Sequence, residues 1–371
     1  MVDRCRAVEG LVMVDGTTWR DIRVMVTGHT GFKGGWLTLW LASLGARVAG
    51  YALEPPTVPS FFTAASVADA LVDNRGDIRD VASTRAAIES FDPQVLFHLA
   101  AQPIVRESYR SPVDTYATNV VGTASVLDAC RYVQSLRAIV VVTTDKCYEN
   151  RGWAWGYRET DALGGHDPYS SSKACVELLC ESFRRSYFEA RSPTCGLATA
   201  RAGNVIGGGD WAPDRLVPDL VRAARDGGET LLRNPRATRP WQHVLEPLHG
   251  YLLLAQRLLA APESHSEAWN FGPAAGDNLS VATVVAKFAA FWPDGLRWRV
   301  DDSPQPHEAR SLQLDSGKAV SRLGWRPRLV LDDAVRLTAE WYREFANGRP
   351  SLRETTEAQI RYYSALAEAS S

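Results

Sequence analysis

The chain has 371 residues, 41 basic against 43 acidic side chains, a formal net charge of −2 and 45% hydrophobic residues. That balance excludes a basic nucleic-acid footprint and an acidic disordered chain. Apolar runs such as 138–142 and 251–255 fall far short of the roughly 20 residues that span a bilayer, so no membrane partner is expected.

At roughly 150 residues per domain, the length predicts two or three domains or one large α/β unit. The N-terminal 20 residues lack the apolar stretch of about 7–15 residues that a secretory leader needs. The six cysteines form no CxxC and no Cys/His cluster, so no metal is expected. They read as buried, reduced thiols of a cytoplasmic protein.

In chain order, residues 1–20 show no periodicity and read as a loose N-terminal arm. Arg23–Thr27 (RVMVT) is a β-rich apolar run, and GHTGFKG follows at 28–34. Trp36, Leu37, Leu39, Trp40, Leu41 and Leu44 then make an apolar helix that stops at Gly45. Residues 47–51, 95–99, 138–143 and 196–200 read as strands of a parallel sheet, and 115–133 and 169–187 have helical spacing. This alternation predicts an α/β fold, a Rossmann-type doubly wound parallel sheet over 21–203. After Arg201, Gly207–Gly209, Pro213, Pro218, Pro235 and Pro240 break the rhythm. Residues 204–371 are therefore expected to form mainly a smaller substrate domain, with 243–272 returning to the main one.

Gly28, Gly31 and Gly34 lie between a predicted strand and a predicted helix. Such glycines allow a tight turn and close approach of the backbone to a pyrophosphate, which the helix N-terminus then holds. Lys33 in this loop is placed to reach a phosphate. The second strand ends without an acidic residue for an adenosine ribose and without an arginine cluster for a 2′-phosphate, which favours NAD over NADP.

Tyr169 and Lys173 are spaced to share one helix face. The ammonium, with a positive nicotinamide, is expected to lower the phenol pKa and make Tyr169 a general base. Thr143, Thr144, Asp145 and Lys146 directly follow the AIVVV run, at the strand end where open α/β sheets bind ligands. Thr144 is suited to bond a reacting hydroxyl, with Asp145 and Lys146 as an acid and a base side by side. Only five residues are lysine, and three of them fall in these motifs. His98 reads as a buried, hydrogen-bonded residue.

These motifs, with GYALEPPTVPSFF, GDIRD, HLAAQPIVRESY, RAGNVIGGGDWAPDRLVPD, RNPRATRPWQHVLEPLHGYL and HEARSLQLD, resemble the extended short-chain dehydrogenases/reductases over 19–342. Within them the chain is similar to the NAD-dependent epimerase/dehydratase family, and to its CDP-glucose branch, where Lys146 replaces the glutamate of the commoner Thr-Asp-Glu motif. The resemblance implies NAD held by Gly28, Thr30, Gly31, Phe32, Lys33, Gly34, Asp77, Ile78, Leu99, Ala100, Ala101, Tyr169 and Lys173. Asp77 would cap the adenine amine. It implies catalysis by Thr144, Asp145, Lys146, Tyr169 and Lys173, and CDP-glucose held by Gln102, Asn204, Arg215, Arg239, Gln242 and His243. Asn119 matches a structural helix residue. The implied reaction is a redox-neutral loss of water that feeds deoxysugar synthesis for surface polysaccharide, in a homodimer. The competing readings are a 4-epimerase or reductase of the same fold, and a non-catalytic NAD(H)-binding regulator.

Overall fold

Runs of β-branched and apolar residues buried on both faces build the centre of the protein. In the structure, a computed structural model, Arg23–Thr27 (β1), Arg47–Ala52 (β2), Val72–Arg75 (β3), Val95–His98 (β4), Ala138–Val142 (β5) and Gly196–Ala202 (β6) are parallel strands. The strand Ala268–Phe271 completes the sheet, pairing in parallel with β6. The order is Ala268–Phe271, β6, β5, β4, β1, β2, β3. The direction of progression reverses between β1 and β4, which opens a crevice at their carboxyl ends. Register brings Thr27 opposite His98, and His98 opposite Val141, at that edge. The structure describes residues 14, 16–191, 194–274, 276, 278–292, 296–301 and 312–366. Residues 307–311, within the HEARSLQLD segment, lie outside that set.

The helix Pro168–Phe183 starts with Asp167 accepting a hydrogen bond from the Ser170 amide at 2.9 Å and with proline in its first turn. The expected helix over 115–133 is Pro112–Tyr116, a π turn Ala117–Val121, and Gly122–Cys130. The π turn presents Asn119, whose amide donates to the Gln102 carbonyl (3.1 Å) and to Ser172 Oγ (2.8 Å). Asn119 thereby ties the loop after β4 to the helix that carries Tyr169.

Beyond β6 the described residues make three short strand pairs. Val205–Ile206 pairs with Gln242–His243, Thr238–Pro240 with Asn278–Ser280, and Thr230–Leu232 with Trp298–Val300. Between them Leu216–Arg225 is a helix, and Leu245–Ala260 packs back on β5 and β6. An aromatic stack joins this region to the sheet: Trp36 lies on Phe61, which lies on Trp341, with centroids 5.3 and 6.0 Å apart. Among the described residues no helix is long and apolar enough to cross a membrane, and no group of His, Cys, Asp and Glu is arranged to hold a metal.

The loose-arm expectation is corrected in part. Residues 1–13 and 15 lie outside the described set, but Gly16–Trp19 form a helical turn and Trp19 is fully buried, its ring 6.1 Å from Phe97. Strand β3 (VDNR) was not anticipated, because an exposed polar edge strand carries no apolar period.

Trp19→Ala is expected to destabilise the protein by about 3–5 kcal/mol, the usual cost of emptying a large buried aromatic site. Urea unfolding measures it, and an unchanged midpoint would return Trp19 to the arm.

Candidate active site

The turn after β1 is held by contacts that leave no room for side chains. Gly28 has φ +76°, and a Cβ there would lie 2.7 Å from the Ala100 amide nitrogen. A Cβ on Gly34 would lie 2.2 Å from the Gly28 carbonyl oxygen. Helix Phe32–Ser43 begins at Gly31 with no side-chain cap, so its first N–H groups face outward past a glycine. This cradle fits a dinucleotide pyrophosphate, which needs close backbone approach and unspent amides at a helix N-terminus.

Thr27 braces the floor of the cradle. Its Oγ1 accepts hydrogen bonds from the Leu99 and Ala100 amides at 3.2 and 3.3 Å and bonds His98 Nδ1 at 2.7 Å. His98 Nε2 in turn bonds Thr123 Oγ1 at 2.9 Å. Burial, then the charge of Lys173, pushes the imidazole down to about 3, so His98 is a neutral strut.

Asp77, expected at the adenine, has its carboxylate paired to Arg79 at 2.6 Å, which holds it below the ordinary carboxylate range. Ile78 is buried in the core, facing Gly122, so it offers backbone alone. Between β2 and β3 the sequence reading missed a polar pair: buried His29 bonds Asp73 Oδ1 at 2.8 Å, and Arg75 pairs with the other oxygen at 2.8 Å. The ring lies where a Cβ on Gly50 would fall, so that glycine is required by His29.

At the end of β5, Thr144 is the hub. Its hydroxyl donates to Asp145 Oδ1 at 3.0 Å and accepts from the Lys146 amide at 3.3 Å, and it lines the same cavity as the Tyr169 side chain. Lys173 Nζ donates to the Val142 carbonyl at 3.1 Å. The expected lowering of the phenol pKa by Lys173 is not what the protein alone provides. Burial pushes Tyr169 up to about 12 and Lys173 down to about 8. Burial also raises the Asp145 pKa, against the pull of Lys146, Thr144, Arg239 and Lys33. Asp145 Oδ2 is buried without a hydrogen-bond partner, 3.2 Å from where a Cβ on Gly203 would be. A carboxyl group in that setting is equipped to hold and donate a proton.

Tyr169 and the Thr144–Lys146 segment line one wall of a cavity of about 500 Å³, and Asn204, Arg215 and Arg239 line it from the other side. Arg215 pairs with Asp210 at 2.8 Å. Lys33, expected at a phosphate of the glycine loop, lines this same cavity, and burial, then Arg215, pushes its ammonium down to about 8.

Three expected substrate contacts are not brought to the cavity wall. Gln102 is spent on Thr115 Oγ1 (2.9 Å) and on the Ile104 amide (2.5 Å). Gln242 donates to the Phe271 carbonyl at 2.9 Å. His243 is fully buried edge-on to Trp36, with burial pushing it down to about 3. Each holds architecture because its backbone lies in a packed turn or strand pair beneath the cavity.

Beneath the site lies Glu177, which the motif search passed over although it continues the four-residue spacing of Tyr169 and Lys173. It accepts from Thr143 Oγ1 (2.5 Å), Thr199 Oγ1 (2.6 Å) and Arg201 Nη2 (2.8 Å). Burial opposes the charge, but Arg201 and both hydroxyls hold Glu177 below the ordinary range. Arg201 also donates to the Tyr148 hydroxyl (2.7 Å), which donates to Asn270 (2.7 Å).

A glycine cradle at the strand-order reversal, with Tyr169 and Lys173 beside the end of β5, is the arrangement of an extended short-chain dehydrogenase/reductase. Residues 25–338 match the family described as GDP-mannose 4,6 dehydratase, and the chain belongs to that family. It is 48% identical to the CDP-glucose 4,6-dehydratase of Salmonella typhimurium (strain LT2), over 92% of this chain and 96% of that protein. The solved structure of MoeE5 in complex with UDP-glucose and NAD has a TM-score of 0.71 at 25% identity, covering 87% of this chain and 99% of MoeE5. The UDP-glucose 4-epimerase of Thermus thermophilus, solved with NAD, has a TM-score of 0.74 at 24% identity, covering 87% of this chain and 99% of that one, and shows the shared fold.

Gly34→Ala is expected to weaken NAD binding by tenfold or more, about 1.4 kcal/mol, because the new Cβ collides with the Gly28 carbonyl. Titration by tryptophan fluorescence measures it. Wild-type affinity in the variant would mean that the cradle is not the pyrophosphate site.

Proposed function

We propose that this chain is a CDP-glucose 4,6-dehydratase, a hydro-lyase that converts CDP-D-glucose to CDP-4-dehydro-6-deoxy-D-glucose and water. The observation that carries the reading is the pairing of Asp145 and Lys146 beside Tyr169. An epimerase or reductase needs Tyr169 and Lys173 but has no use for a second acid and base. The 48% identity to a CDP-glucose 4,6-dehydratase supports the choice of nucleotide.

The glycine cradle would hold NAD, which would supply hydride acceptance at sugar C4 and hydride return at C6. Tyr169 removes the C4 hydroxyl proton, with Thr144 orienting that hydroxyl and Lys173 anchored beneath. Oxidation at C4 acidifies the C5 hydrogen, which Lys146 removes. Asp145, its carboxyl pKa raised by burial, gives a proton to the departing C6 hydroxyl. Asn204, Arg215 and Arg239 hold the nucleotide and its diphosphate, for which the arginine fork is suited. Lys33 works from the cofactor side of the same cavity.

Residues 21–203, with 243–272, form the cofactor domain in this reading, and 204–371 mainly the substrate domain. The chain works in the cytoplasm, supplying deoxysugar precursors for lipopolysaccharide O-antigen. It acts as a homodimer through the helices around 112–130 and 168–188, whose outer faces expose Val113, Val121, Leu178 and Tyr187. Light scattering at micromolar protein is expected to exceed the monomer mass of 40.8 kDa, and a monomer would remove the dimer from this proposal.

Incubation with CDP-, UDP-, GDP- and dTDP-glucose is expected to give loss of one water from the CDP sugar ahead of the others by mass spectrometry. An unchanged mass with an isomerised sugar would assign an epimerase instead. Tyr169→Phe is expected to slow C4 oxidation by roughly 10²–10⁴-fold, the usual worth of a general base. Lys146→Ala is expected to oxidise C4 and then stall, so that NADH absorbance appears on mixing and stays. If the trace is flat, Lys146 serves the first step or substrate binding.

A further inference from the structure

The wall of the cavity carries a charged cluster that the chemical steps leave unused. Arg106 lies on the helix Val105–Arg110, which follows β4, and Arg233 follows the strand Thr230–Leu232 in the later half of the chain. Asp214 stands between them. Its Oδ1 lies 2.5 Å from Arg233 Nη2 and 3.8 Å from Arg106 Nε. All three residues line the same cavity as Tyr169 and Asp145. One carboxylate oxygen therefore joins two guanidinium groups that come from distant parts of the sequence.

The backbone is shaped to place that carboxylate. Asp214 has φ +62°, in the left-handed region that aspartate and asparagine enter more readily than most residues. The next residue, Arg215, is extended and leads into the helix Leu216–Arg225. The turn thus brings two successive side chains of opposite charge to one cavity. Their partners differ in kind. Asp210, which pairs with Arg215, also accepts from the Ala212 amide at 3.1 Å, and its side chain is 6% exposed. Asp214 is 18% exposed, and among the described residues it is held by the two arginine side chains through a single oxygen. The inner pair is fixed by backbone, whereas the outer one is free to be exchanged.

We propose that Asp214 is a stand-in for a phosphate: it holds Arg106 and Arg233 between turnovers, and the diphosphate of the nucleotide sugar displaces it from them. A guanidinium fork that accepts a carboxylate accepts a phosphate in the same way. Two arginines converging without an anion would repel each other, so the carboxylate keeps both in place until the substrate arrives. The exchange swaps one anion for another. It also tempers the affinity, because the incoming diphosphate must compete with Asp214, and the returning carboxylate helps the product to leave. Arg106 and Arg233 thereby join Arg215 and Arg239 as residues that meet the nucleotide.

The inference rests on the nucleotide-sugar reading, and the choice of probes separates the two. Wild type and variants, each saturated with NAD so that the glycine cradle is filled, are titrated by calorimetry with CDP, inorganic pyrophosphate and cytidine. Asp214→Asn keeps the size of the side chain and tolerates the same turn, so it removes the charge alone. It is expected to bind CDP and pyrophosphate roughly three- to tenfold more tightly than wild type, the scale of one or two half-exposed ion pairs, with cytidine unchanged. Arg106→Gln and Arg233→Gln are each expected to weaken both diphosphates. In a protein carrying both arginine changes, Asp214→Asn is expected to add nothing. Three results would overturn the proposal: equal or weaker diphosphate binding by Asp214→Asn, a gain that also appears with cytidine, or a gain that persists without the two arginines and so reports long-range repulsion. If the multiple variant does not fold, the single arginine variants decide, and wild-type affinity in both overturns the exchange. Wild type that binds pyrophosphate but not CDP would instead remove the cytidine nucleotide from the functional reading, and the pyrophosphate series would then judge Asp214 by itself.

Discussion

The ion pair between Glu177 and Arg201 is the constraint on which the site depends. Both side chains are only 3% exposed, and a lone buried charge of either kind costs several kcal/mol. Each must therefore be fully answered, and the answers come from separate parts of the fold. Thr143 stands at the end of β5, Thr199 and Arg201 lie in β6, Tyr148 follows the Thr144–Lys146 segment, and Asn270 belongs to the last strand. Glu177 itself is two turns along from Tyr169. One carboxylate thus registers the helix that carries Tyr169 against the strand end that carries Asp145. These side chains are held from below and line the cavity above.

Much of the site was legible in the sequence because its chemistry is local. The glycine loop, the Thr144–Lys146 run and the Tyr169/Lys173 pair each lie within a few residues, and strands β1, β4 and β5 announce themselves as continuous apolar runs. What escaped was set by distant packing. Trp19 looked like part of an aperiodic arm, yet it fills the core against Phe97. Asp73 lies in a polar edge strand without a hydrophobic period, so its bond to His29 left no trace in the pattern. Gln102, Gln242 and His243 are polar neighbours of the cavity, and only coordinates reveal that their bonding capacity faces inward. Residue type located the neighbourhood of the substrate but not the direction of each side chain.

The cavity also joins two halves that the sequence treats separately. Lys33 belongs to the cofactor loop but faces the chamber lined by Arg215 and Arg239. Phe32, next to it, packs edge-on against Phe61, so the backbone that cradles one ligand is braced by the aromatic stack reaching Trp341 in the C-terminal region. Any movement of the C-terminal helices is felt at the glycine loop through that stack, because packed aromatic rings transmit displacement with little give.

The strand Ala268–Phe271 follows β6 only after the segment 203–267, yet it closes the edge left by β6. During synthesis β6 therefore waits, with Arg201 and Tyr148 lacking Asn270, while more than sixty residues of intervening chain emerge. Closing so long a loop is slow, and an unpaired parallel edge is open to wrong partners in the meantime. A nascent chain that stalls before Ala268 holds the glycine loop and both catalytic motifs complete in sequence, but not the sheet edge that steadies them. The polar network under Tyr169 and Asp145 is thus completed by a strand that the chain supplies only after residues 203–267.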